Sequence, residues 1–69
     1  MRNAVLVNRA DVTCAYQDEW RVVIALRTGI VLQLEFGSEI EAEDAVRNLS
    51  GQLGNYLLRP EKVTRESDD

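Results

Sequence analysis

The sequence predicts an α+β fold: an antiparallel β-meander of three to four strands with one C-terminal amphipathic helix packed on one sheet face. Three observations carry this. Hydrophobicity alternates with a period of two from Trp20 to Leu26 and again from Ile30 to Phe36, on either side of Thr28-Gly29. After Phe36-Gly37 the spacing changes to three and four residues, through Ala42, Ala45, Val46, Leu49 and Leu53. At the changeover Ser38 stands three residues before Glu41, the spacing of a capping box.

Taken in order, Ala4 to Val7 is a short apolar run between Asn3 and Asn8, read as the fourth strand of the meander. Asn8-Arg9-Ala10-Asp11 reads as a turn, because Asn and Asp side chains cap turns. Val12 to Tyr16 follows as a strand, with Val12, Cys14 and Tyr16 on one face and Thr13 and Ala15 on the other. A three-residue connection, Gln17-Asp18-Glu19, then sets Tyr16 opposite Trp20.

The register of the main hairpin follows from its two apolar rows. A two-residue loop at Thr28-Gly29 pairs Arg27 with Ile30 and mismatches the rows. A three-residue loop, Arg27-Thr28-Gly29, pairs Leu26 with Ile30, Ile24 with Leu32, Val22 with Leu34 and Trp20 with Phe36. One face is then continuously apolar, and Gly29 falls where the turn needs a positive φ. The other face carries Arg21, Val23, Ala25, Arg27, Val31, Gln33 and Glu35, with Arg21 near enough to Glu35 to pair.

The helix runs from about Glu39 to Ser50 or Leu53, with Gly51 and Gly54 as alternative stops. Glu39, Glu41, Glu43 and Asp44 crowd its positive end, and Glu43 and Arg47 form an i,i+4 pair. Its apolar stripe has one expected partner, the sheet face of Trp20, Ile24, Leu32 and Phe36. Asn55 to Leu58 is compatible with a short strand or a last helical turn, and Pro60 turns Arg59 away from helix. Residues 1–58 are thus read as one small domain. Residues 59–69, polar apart from Val63, are read as a flexible tail.

The 69 residues contain no histidine and one cysteine, which removes histidine-based catalysis, a disulfide framework and a structural zinc site. Cys14, mid-strand, reads as a small core hydrophobe. The acidic residues at the helix start are explained by the helix dipole, without a metal. No glycine-rich phosphate loop follows a strand. The expectation is no catalytic residue, no cofactor and no metal: not an enzyme. A net charge of −4 and a pI near 4.7 disfavour nucleic acid and anionic membrane as partners. The Ala4–Val7 run is too short for a membrane span or a signal core, so a cytoplasmic protein is the default expectation.

A small non-catalytic protein-binding module remains, an adaptor, regulatory subunit or inhibitor that self-associates as a homodimer. Its candidate interaction surface is Arg21, Val23, Arg27, Val31, Gln33 and Glu35 on the uncovered sheet face, together with Tyr56, Leu57 and Leu58. The alternative is a nucleic-acid-associated regulator that binds through the Arg21/Arg27 face.

Overall fold

The period-two runs become strands because each buries one row of aliphatic side chains while the ladder between them satisfies the backbone. The computed structural model describes residues 3–51 and 54–67. Its elements are β1 (Val5–Asn8), a 3-10 turn (Arg9–Asp11), β2 (Val12–Asp18), β3 (Arg21–Leu26), β4 (Ile30–Glu35), α1 (Glu39–Gly51), β5 (Asn55–Leu58) and β6 (Lys62–Ser67). They form an α+β fold with a four-stranded antiparallel sheet, order β2-β3-β4-β6, and a two-stranded antiparallel sheet of β1 and β5.

The β3–β4 hairpin has the register its apolar rows demand: Val22 opposes Leu34 and Ile24 opposes Leu32. The Phe36 N–H donates to the Trp20 carbonyl at 2.9 Å, which continues the pairing one step beyond the strands. Gly29 closes the turn with φ +94°, and its N–H donates to the Leu26 carbonyl at 3.1 Å. A Cβ at Gly29 meets nothing within 4 Å, so the cost of a side chain there is backbone strain alone. Gly29→Val is expected to destabilise the fold by about 1–3 kcal/mol. A urea midpoint equal to that of the parent would refute this.

Inward side chains of both strands build the core. Val22, Ile24, Leu34 and Phe36 are buried with Ala42, Ala45 and Leu49 of α1, Val7 of β1 and Leu58 of β5. The helix starts as its capping residues indicate. The Glu41 N–H donates to Ser38 Oγ at 3.2 Å, and the Glu41 carboxylate accepts from the Gly37 N–H at 3.0 Å. Ser38→Ala is expected to cost about 1 kcal/mol, read as a lower unfolding midpoint. The Arg47 guanidinium donates to Glu43, the expected i,i+4 pair. The Asn8 side chain accepts from the Ala10 N–H at 2.9 Å and caps the short turn, as its residue type indicates. Leu53, placed on the apolar helix face by periodicity, lies outside the described residues.

Several sequence expectations are corrected. The helix is not C-terminal: it lies mid-chain, with two strands after it. Residues 59–69 are not simply a flexible tail, because Lys62–Ser67 pairs along the whole of β4, from Glu35↔Lys62 to Ile30↔Ser67. A composition criterion counts apolar side chains, of which this stretch has one. The force that orders it is the unpaired edge of β4, whose N–H and C=O groups find partners there. Val63 is the β6 side chain that packs against the core. Asp68 and Asp69 lie outside the described residues.

Nor is the first strand the fourth of the meander. β1 pairs with β5, Leu6 opposite Leu57 and Val7 opposite Tyr56. Arg59-Pro60-Glu61 then carries the chain from the small sheet to the large one. Pro60 is fully buried, the Glu61 N–H donates to the Glu35 carbonyl at 2.8 Å, and the Asn3 N–H donates to the Pro60 carbonyl at 3.3 Å.

The register of β2 differs from expectation as well. Val12 opposes Leu26, but Cys14 opposes Ala25, so Thr13 is an extra residue in a β-bulge. The connection to β3 shortens to Glu19-Trp20, with Glu19 at φ +58°. A one-residue shift exchanges the two faces of a strand. Tyr16 therefore opposes Val23, not Trp20, and Ala15 lies opposite Ile24 on the inner face. Cys14 is exposed and free, not a core residue. The physical reason is the helix: α1 packs on β2 and β3 through Ala42 and Ala45. A close helix leaves room for Ala15 beneath it and none for a tyrosine. Trp20, expected under the helix, is exposed at the sheet's end.

Candidate functional site

With its inner face closed by α1, β1 and β5, the large sheet presents an outer face of three cross-strand rows. The first is Asp18, Arg21, Glu35 and Lys62, one residue from each strand and alternating in charge. The second is Tyr16, Val23, Gln33 and Thr64, and the third is Cys14, Ala25, Val31 and Glu66. The face is thus apolar toward β2 and β3 and polar toward β6.

In the charged row an Arg21 Nη lies 3.7 Å from an Asp18 carboxylate oxygen, and Lys62 Nζ lies 3.9 Å from one of Glu35. The expected Arg21–Glu35 ion pair is replaced by these two, because β2 and β6 each bring an opposite charge to the row. Exposed pairs of this kind contribute about 0.2–1 kcal/mol each, so the row has little effect on folding. The Arg21 guanidinium also lies over the Trp20 ring, 5.9 Å from its centroid, and its Nε has no hydrogen-bond partner. Toward β6, Gln33 Nε2 donates to a Glu66 carboxylate oxygen at 3.1 Å. Tyr16 keeps 55% of its surface open, and Val23, Ala25 and Val31 are half-buried with no element of the described chain above them.

Of the residues nominated from the sequence, Arg21, Val23, Val31, Gln33 and Glu35 share this face. Arg27 lies in the turn beyond β3, at the opposite end from Arg21 and about 20 Å away by strand rise, so the two form no continuous basic stripe. Tyr56, Leu57 and Leu58 belong to the other sheet. Leu58 is in the core, and Tyr56 is half-buried with its Oη accepting from Asn48 Nδ2 at 2.7 Å. Only Leu57 remains at the surface, 45% exposed and opposite Leu6 at 65%.

Sequence reasoning missed Tyr16 and Cys14, which the bulge turns outward, and Lys62, Thr64 and Glu66, which arrive with β6. For the first two no sequence signal exists, since an alternating run does not announce an extra residue. For the others the signal is the alternation of Lys62, Thr64 and Glu66 around the inward Val63.

A shallow groove between the bulged edge of β2 and the C-terminal half of α1 is lined by Arg9, Val12, Thr13, Cys14, Val46 and Leu49. Among the described residues no group of three or more His, Cys, Asp or Glu side chains is placed to hold a metal ion. Among them, too, no helix is long and apolar enough to cross a membrane. Comparison with protein-family models, with curated proteins and with solved structures finds no match for the chain.

Proposed function

We propose that this chain is a non-catalytic protein-binding module that meets its partner through the outer face of the β2-β3-β4-β6 sheet. The observation that supports it most is the block of exposed Tyr16 with half-buried Val23, Ala25 and Val31 on the outer sheet face, bordered by the charged row. An apolar block rimmed by charge has the composition of a binding surface, and Tyr16 supplies it with an exposed aromatic anchor. A nucleic-acid-associated role draws on Tyr16 sharing the face with Arg21. The carboxylates of Asp18, Glu35 and Glu66 on the same face oppose it.

The test is a photo-crosslinking residue at Tyr16, with one at Ile40 as the control. Ile40 is 72% exposed on the helix, away from the face. In the native cell the Tyr16 probe is expected to capture a protein that the Ile40 probe does not. Equal capture at both positions, or capture of nucleic acid alone, would overturn the reading.

A further inference from the structure

The outer edge of β6 is the second open feature of the large sheet, and it differs from the edge of β2. The β2 edge is interrupted by the bulge at Thr13 and bordered by α1. β6 is regular over Lys62–Ser67, and no described residue pairs with its far side. Its unpaired backbone groups are a template for another strand.

The side chains of β6 specify which strand fits. In antiparallel pairing of β6 with its own copy about a two-fold axis normal to the sheet, residues on one face stay on that face. With the axis at Thr64, Lys62 opposes Glu66 of the second copy on the outer face, twice by symmetry. Thr64 meets Thr64, a pair favoured across strands. On the inner face Val63 lies against the aliphatic stem of Arg65. Sliding the register by two residues in one direction sets Arg65 against Arg65, and in the other it removes both Lys62–Glu66 contacts. The charges that blunt this edge toward other strands are complementary to the strand itself in one register.

We infer that the chain forms a two-fold homodimer by antiparallel pairing of β6 with β6 of a second copy, centred on Thr64, joining the two four-stranded sheets into one. The pairing closes on itself and leaves the outer face of each copy open on the same side of the joined sheet. It is therefore independent of the partner proposed for that face.

The test uses the full chain with Cys14→Ser and a single new cysteine. Residues facing each other across an antiparallel ladder have Cα atoms about 4.5–5.5 Å apart, within disulfide reach. Thr64→Cys is therefore expected to give a disulfide-linked dimer under mild oxidation. Lys62→Cys, whose two copies stand about 13 Å apart along the strands, is expected to give none. By light scattering over a concentration series, Lys62→Glu is expected to weaken the dimer about tenfold, through two Glu–Glu oppositions. Lys62→Glu with Glu66→Lys is expected to restore it. A chain that stays monomeric to millimolar concentration would overturn the inference. So would a dimer that crosslinks equally at both cysteines or ignores the charge reversal. Neither result bears on crosslinking through Tyr16, so the two proposals fail separately.

Discussion

Ile24→Ala is expected to lower the unfolding free energy by about 2–5 kcal/mol, whereas Val23→Ala, one residue away, is expected to cost less than about 1 kcal/mol. Ile24 is 0% exposed on the second strand of the sheet, between Ala15 and Leu32 and beneath the helix. Truncation removes its transfer free energy and leaves a cavity that Val22, Leu34 and the backbone of α1 cannot collapse to fill. A domain of 69 residues has roughly 3–10 kcal/mol of stability at 0.05–0.15 kcal/mol per residue, so this one change removes a large share of it. Val23 turns to the half-open outer face, where alanine leaves little buried void. Urea titration with an unchanged m-value checks both. Comparable losses at the two positions would mean that the sheet is covered on both faces within the chain.

A chain ending at Glu61 is expected to lose roughly 3 kcal/mol or more and to aggregate. Removing β6 takes away the packing of Val63, the Lys62–Glu35 ion pair, the Gln33–Glu66 hydrogen bond and the backbone ladder on β4. It also bares the edge of Ile30–Glu35, an apolar strand with the composition of an aggregation template. A truncated protein with the parent's urea midpoint and solubility would show that residues 62–67 are dispensable to the fold. The two experiments examine different links: the first the face assignment of a strand, the second the origin of an edge.

Both results bear on how far the fold was legible in the sequence. The β3–β4 hairpin was legible down to its register, because two apolar rows and one glycine at a positive φ admit one pairing. The helix was legible because Ser38 and Glu41 mark its start and the spacing of Ala42, Ala45 and Leu49 marks its buried side. Half of the candidate face followed from the hairpin, since residues that do not turn inward from β3 and β4 must turn outward. The other half did not. Tyr16 and Cys14 come to that face through an inserted residue, and alternation counted along β2 alone points them the wrong way.

By itself, then, the sequence determined the central hairpin and its register, where the helix begins and which row of the hairpin is buried. Each of these rests on residues close together in the chain. The tertiary structure alone decided the partner of β1, the bulge in β2, the conversion of a polar C-terminal stretch into β6 and the consequent four-residue charged row of Asp18, Arg21, Glu35 and Lys62. The physical reason is that backbone hydrogen bonding and close helix packing have no residue-type signature of their own. An unpaired strand edge recruits whatever segment can reach it, and a close helix selects the small Ala15 over Tyr16, whatever the alternation along β2 indicates.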